Sequence, residues 1–278
     1  MKQKAKEILL RARKDVFSGN IGDNITTFKG EGLDFKEIRD YQAGDDIKKI
    51  NWNATAKSNS VKVNLFDSER ELNIVIAFFV SGSINFGSVK LKQDIVSEVL
   101  ALLAFSSVKN NNNLQTTFFG NESLDFFPPT KNDNIVYDIV EKSLDIKCLG
   151  EDINYNGFCD FINNMVKQKS LIFLVGDFFG DIDLSTIAHK NEIYALIIRD
   201  RFEEYPYING DYEFVDPIDF SSSDMNITKD IAKKYNQLIK QNDEKLEEHF
   251  LLHKIQHGKI YTDDDIYLKL SQIVSGGK

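Results

Sequence analysis

Three short runs, Ile74 to Val80, Ser170 to Val175 and Ile193 to Ile198, constrain the fold more than any other part of the chain. Each is nearly continuous in apolar residues and too short for a core helix. Each also lacks the alternation of a strand with one wet face, so it reads as a strand covered on both sides by helices. Residues 91–108 and 132–144 carry helical periodicity, and residues 114–120 read as a further strand between them. Strands alternating with helices predict an α/β class domain, a doubly wound, mainly parallel sheet. In such sheets ligands bind at the carboxyl ends of strands, where the winding reverses. Two segments fall there: Phe79-Val80-Ser81-Gly82-Ser83 and Gly176-Asp177.

The chain upstream of Leu72 has a different character. Ala5, Ile8, Leu9, Ala12 and Val16 recur at helical spacing, so Lys2, Lys4, Lys6, Arg11, Arg13 and Lys14 form the solvated face of a docked helix. A stretch rich in glycine and polar residues, 18–32, follows, and Ser60 to Phe66 alternates as a half-buried strand does. The expected division is an N-terminal helix and β-hairpin lobe, 1–71, and an α/β domain with C-terminal helices, 72–278.

Composition closes off several classes. A net charge of −9 over 278 residues argues against nucleic acid, because phosphate neutralisation needs clustered Lys and Arg. The longest apolar run is far below the roughly 20 residues of a membrane helix. The basic start leads into an amphipathic pattern, not a signal-peptide core, so the expected location is the cytoplasm. Cys148 and Cys159 have no zinc-ligand spacing and read as reduced thiols.

The densest motif lies in the first lobe. It runs Gly30-Glu31-Gly32-Leu33-Asp34-Phe35, then Ile38-Arg39-Asp40-Tyr41-Gln42-Ala43-Gly44-Asp45-Asp46-Ile47-Lys48-Lys49-Ile50-Asn51-Trp52, and closes with Thr55, Ala56 and Lys57. This pattern resembles the signature of the DUF58 family, a bacterial family of unknown function, with weaker matches at Glu69-Arg70, from Phe79 to Gly87 and at Gly176-Asp177-Phe178. Two physical roles suit Arg39, Tyr41, Asp45, Asp46, Trp52, Lys57, Glu69 and Arg70. They suit a protein-recognition surface, since Arg beside Trp and Tyr is interface chemistry. They equally suit an ion-pair and hydrogen-bond lock, with Gly44 supplying a tight turn.

The resemblance implies a von Willebrand factor A-like fold whose metal-ion-dependent adhesion site has the pattern D-x-S-x-S, with a later aspartate and a threonine. Carried over by position, Ser81 and Ser83 match the serines, Asp177 the later aspartate and Thr130 the threonine. Phe79 stands where the first aspartate belongs. Mg²⁺ wants near-octahedral oxygen and one or two carboxylates, so the expected site is degenerate and no cofactor is expected, with Mg²⁺ as the minor alternative.

Enzymatic devices are missing. The sequence contains no G-x-x-x-x-G-K-[ST] loop, no G-x-G-x-x-G, no H-E-x-x-H and no G-x-S-x-G elbow. His249, His253 and His257 recur every four residues on an expected helix from Thr228 to Gly258, a spacing that can present imidazoles to Zn²⁺ but without a carboxylate or thiolate to complete the set. Asp263 to Asp265 read as a helix cap after Thr262.

The expectation is therefore a non-enzymatic protein–protein interaction module. DUF58 proteins are associated with MoxR-type AAA+ ATPases, so the resemblance implies an adaptor or partner of such an ATPase. An Mg²⁺-dependent adhesion-type ligand-binding module is the alternative, and a hydrolase using Asp45 or Asp46 is the second. Phe86, Phe126, Phe127, Phe178 and Phe179 crowd the loops expected at the strand ends, and Phe178 and Phe179 are the expected interface anchors.

Overall fold

The computed structural model describes residues 2–18, 35–42, 44–58, 60–66, 71–206 and 210–276. The signature residues Gly30 to Asp34, Ala43 and the Glu69-Arg70 pair lie outside them. In chain order the elements are α1 (Lys2–Ser18), β1 (Phe35–Asp40), α2 (Trp52–Ala56), β2 (Lys62–Phe66), β3 (Asn73–Phe79), α3 (Lys92–Lys109), β4 (Asn113–Phe119), β5 (Ser123–Thr130), α4 (Ile135–Asp145) and α5 (Tyr155–Met165). There follow β6 (Leu171–Gly176), α6 (Ser185–Ala188), β7 (Glu192–Arg199), α7 (Arg201–Glu204), β8 (Gly210–Val215), β9 (Ser222–Ile227), α8 (Lys229–Leu252), β10 (Gln256–Tyr261) and α9 (Ile266–Ser275).

Two compact units result: residues 1–27 with 73–278, and residues 28–72. This corrects the expected boundary at its first end. Helix α1 belongs with the sheet unit because its apolar stripe, Ala5, Leu9, Ala12 and Val16, is buried and packs on α3 and α4. Lys4 reaches Asp94 at 2.5 Å, and the Lys109 ammonium donates to the Val16 carbonyl at 2.7 Å.

The larger unit is built on a six-stranded sheet in the order β10-β7-β6-β3-β4-β5. All neighbours are parallel except β5, which runs antiparallel to β4. The chain leaves β3 towards β4 on one side and returns to β6 on the other, so the winding reverses between β3 and β6. Strand β6 is buried throughout, and β3 is buried beyond its first residue, the continuous apolar runs showing as two-sided cover. The α3 side takes Ile74, Ile76 and Phe78, while Val75, Ala77 and Phe79 join the cluster beneath α5, α6 and α8.

Helix α8 ends at Leu252, and Lys254 adopts φ +56°, so the chain turns sharply into β10. The expected helix ran through His257 with Gly258 as its C′ residue, but His257 and Gly258 are strand residues pairing with Ala195 and Leu196. Lys254 turns the backbone out of the helix before the third histidine. The buried stripe of α8 is Ala232, Ile239, Leu246 and Phe250, leaving Tyr235 and Leu238 exposed. Asp265 caps α9, its side chain accepting from the Leu268 N–H.

The smaller unit pairs β1 with β2 antiparallel, Arg39 opposite Val63. Asn51 caps α2 by accepting the Ala54 N–H at 2.9 Å, and the Asn51 amide donates to Asn64 of β2 at 2.8 Å.

Phe79 is the aromatic keystone of the larger unit. Its ring makes edge contacts with Tyr155, Phe158 and Phe178 at 4.8–5.4 Å between centroids, and a Cβ on neighbouring Gly176 would lie 2.8 Å from that of Phe79. Phe79→Ala should therefore cost about 3–5 kcal/mol in urea denaturation. A loss under about 1 kcal/mol would mean the ring is not packed.

Candidate functional site

The site lies where the winding reverses. After β3 the chain enters a short 3₁₀ turn, Gly82–Asn85, flanked by Ser81 and containing Ser83. The Gly82 N–H donates to the Glu151 carbonyl at 2.9 Å. Glycine is required at 82 because a Cβ there would run into the Pro217 carbonyl, at the tip of the β8–β9 hairpin, and the same carbonyl accepts the Gly150 N–H at 2.8 Å. After β6 comes Asp177, buried to 1% exposure.

Ser81, Ser83 and Asp177 converge as expected. The Ser81 and Ser83 hydroxyl oxygens are 2.8 Å apart, and Ser83 donates to Asp177 Oδ2. Thr130 does not join them. Strand β5 runs back from the carboxyl end of β4, so Thr130 pairs with Leu114 at the opposite end of the sheet. Its hydroxyl accepts the Asn132 N–H there, at 3.1 Å.

A side chain that the sequence reading passed over completes the cluster. Lys92, in the first turn of α3, has no exposed surface. Its Nζ lies 2.5 Å from Glu203 Oε1 and 3.4 Å from Asp177 Oδ2. Burial pushes the Glu203 carboxyl up, against the pull of the Lys92 charge. Beside it the N-cap of α7, Asp200, is fully buried yet held below the usual carboxylate range. Burial works against that ionisation, but hydrogen bonds from the Thr262 hydroxyl at 2.6 Å and the Ser88 hydroxyl at 2.7 Å outweigh it.

Asp177 leads into Phe178, whose backbone adopts φ +55°. That turn sends the Phe178 ring into the core, between Phe79 at 5.4 Å and Phe250 at 5.9 Å. Phe178 is thus a core residue and not the surface anchor expected of it. Phe179 is half-buried, its ring 3.7 Å from the Arg199 guanidinium and 5.9 Å from Lys92 Nζ. Arg199, itself fully buried, bonds Asp243 at 3.1 Å, while its Nε and Nη1 have no partner among the described residues. Phe126 and Phe127 sit on β5 itself, packed on Phe161 and Phe118.

The signature residues build a second constellation in the smaller unit. Arg39 grips Asp45 with a two-pronged contact at 2.7 and 2.8 Å, and Asp45 Oδ2 also accepts the Gln42 N–H at 2.8 Å. The Arg39 hydrogen bonds hold the Asp45 carboxyl below its ordinary range. Gly44 supplies the turn at φ +107°. The Thr55 hydroxyl accepts the Lys62 N–H at 2.9 Å, and Lys57 closes α2. Asp46 and Lys57 are exposed, Tyr41 is 37% exposed, and Trp52 is 67% exposed.

Of the three histidines, His249 and His253 face each other with rings 4.7 Å apart. His257 packs instead against Phe250 at 5.1 Å. Among the described residues no group of three or more His, Cys, Asp or Glu could hold a metal. Cys148 and Cys159 are buried free thiols, which burial foremost pushes up to about 12 and about 11.

The chain therefore combines a mostly parallel α/β sheet, a polar cluster at its switch point and a signature lobe. It belongs to the family described as protein of unknown function DUF58, whose model matches residues 37–245. It is similar to uncharacterized proteins of Mycobacterium tuberculosis and Mycobacterium bovis, 22% identical over 186 residues, which make up 64% of this chain and 59% of each relative. The chain thus spans less than two thirds of the length of the curated relatives it matches. Among solved structures it is similar to the conserved hypothetical protein BatB from Bacteroides thetaiotaomicron, at TM-score 0.42 and 10% identity, covering 74% of this chain and 98% of that one. An aerotolerance-related membrane protein from Bacteroides fragilis gives TM-score 0.45 and 10% identity, covering 74% and 99%.

The residues do not fit a divalent cation. Phe79 is committed to the aromatic cluster, and the Asp177 carboxylate is already neutralised by an ammonium. Millimolar Mg²⁺ or Mn²⁺ should leave the melting temperature of the chain unchanged, where a ligand at about 100 times its Kd would stabilise it by about 2.7 kcal/mol. A clear rise abolished by Asp177→Ala would contradict this.

His249 supplies a pH dependence. Its Nε2 accepts the Leu184 N–H at 3.1 Å, which only the neutral ring can do. Burial first, and then the His253 charge, lower its pKa, although Asp183 pulls the other way. With the folded value depressed, the unfolded chain binds the proton first. The contribution is therefore fully present above about pH 6.5 and is lost as pH falls from there through the folded value. Stability measured from pH 8 to 5 should decline less steeply in His249→Gln; parallel profiles would refute the assignment.

Proposed function

We propose that this chain is a non-enzymatic, von Willebrand factor A-like interaction module with a degenerate metal-ion-dependent adhesion site, acting as an adaptor or partner of a MoxR-type AAA+ ATPase in the cytoplasm. One observation carries the interaction reading: the polar residues of the signature are spent on fixing a loop that presents Trp52, which is 67% exposed. Arg39, Asp45 and Asn51 lock the turn and the helix start, so the backbone that carries the indole is fixed. An exposed tryptophan on a fixed backbone is the chemistry of an interface anchor. Ile47, also 67% exposed, extends the apolar surface of the same lobe.

The same geometry argues against a hydrolase built on Asp45. Both of its carboxylate oxygens are engaged by Arg39, and a depressed pKa makes a poor general base. The ATPase as partner rests on the family resemblance.

Binding to a MoxR-type ATPase from the same cell, measured by calorimetry with ADP and with a non-hydrolysable ATP analogue, should depend on the nucleotide. Trp52→Ala should weaken it at least tenfold, about 1.4 kcal/mol, with an unchanged melting temperature. Absence of association in both nucleotide states would refute the partner assignment. Phe178→Ala, in contrast, should lower the melting temperature, because that ring is core.

A further inference from the structure

We propose that Lys92 is the resident cation of the switch-point site: the chain carries its own counter-charge on a tether in the place where its oxygen ligands would otherwise take a hard divalent ion. The site is a set of oxygens from three separate stretches of chain, Ser81 and Ser83 after β3, Asp177 after β6 and Glu203 in α7. Two carboxylates and two hydroxyls that converge so closely are the donor chemistry of Mg²⁺ and Mn²⁺. What the two carboxylates hold instead is an ammonium with no exposure, 2.5 Å from Glu203 and 3.4 Å from Asp177, while the two hydroxyls bond to Asp177.

The arrangement goes beyond an ion pair that happens to be buried. A single ion pair needs one carboxylate, but Lys92 links two that are 26 residues apart in the sequence, and Ser83 bonds both to Ser81 and to the Asp177 oxygen that faces Lys92. Removing the ammonium would leave Asp177 and Glu203 facing each other inside the protein, which is costly for both. The stem of Lys92 runs from the first turn of α3, so the charge is delivered, and its dehydration met, by folding itself, with no dependence on ion concentration. The loops after β3 and β6 are consequently fixed to α7 whatever the ionic conditions. This assignment stands or falls separately from the ATPase partner, because its readout is metal-linked stability.

The test uses the full chain with Lys92→Ala and Lys92→Met, melted in EDTA and in about 5 mM MnCl₂ or MgCl₂. Lys92→Ala opens space between the Asp177 and Glu203 carboxylates. It should melt below the unaltered protein in EDTA and recover by at least about 3 °C with Mn²⁺. The recovery should vanish when Asp177→Asn is added. Lys92→Met, which fills the same space with an apolar chain, should be destabilised without recovery. If Lys92→Ala does not fold in EDTA, its refolding from urea with and without Mn²⁺ reads the same property. Recovery of the fold only with the ion supports the assignment, and equal failure in both overturns it. A folded Lys92→Ala with a flat ion response, or one as stable as the unaltered chain in EDTA, would also overturn it.

Discussion

A charged amine without contact with water imposes its needs on everything around it. Transfer of an unpaired ammonium into a protein interior is prohibitive, so the position of Lys92 demands anions at fixed places. Asp177 at the end of β6 and Glu203 in α7 meet that demand. Through them α3, β6 and the segment after β7 are tied together at one end of the sheet. Ser81 and Ser83 join from the end of β3, the strand adjacent to β6, so the polar cluster spans the line where the winding reverses.

A second charge network lies next to the first and follows the same rule. Lys259 of β10 binds Glu204 at 2.6 Å and Asp243 of α8 at 2.7 Å, and Asp243 also holds Arg199. The Arg199 guanidinium lies over the Phe179 ring, exchanging water for an aromatic face. The carboxyl end of the sheet is thus held by ionic cross-links, while its two faces are held by apolar packing. The charges here are neutralised within the chain, whereas Trp52 and Ile47 of the signature lobe are each 67% exposed. This contrast between a closed, self-neutralised site and an exposed aromatic is the support for the interaction module proposed above.

Sheet architecture was legible early because two-sided burial leaves a mark in one dimension. The runs at β3, β6 and β7 contain almost no polar residue, and the periodic stretches between them gave α3 and α4 within a few residues. Strand β5 was missed, since Pro128 and Pro129 and the polar residues of an edge strand read as loop. That omission also misplaced Thr130, for only an antiparallel return carries it to the far end of the sheet. The end of α8 was overrun because His257 keeps the four-residue spacing of the helix that stops before it.

The sequence by itself determined the class of the sheet and the meeting of the segments after β3 and β6, which carry Ser81, Ser83 and Asp177, because both follow from the apolar runs and from the rule that strand ends gather at a switch point. It could also have yielded the Asp200 and Glu203 cap, whose D-x-x-E spacing is local. Only the tertiary structure decided that Lys92 is buried between Asp177 and Glu203, that Phe178 turns inward and that α1 belongs to the sheet unit. A lysine in the first turn of a helix looks solvated in any one-dimensional reading. Whether it is buried depends on carboxylates 85 residues away at Asp177 and 111 residues away at Glu203, and only folding brings them within bonding distance.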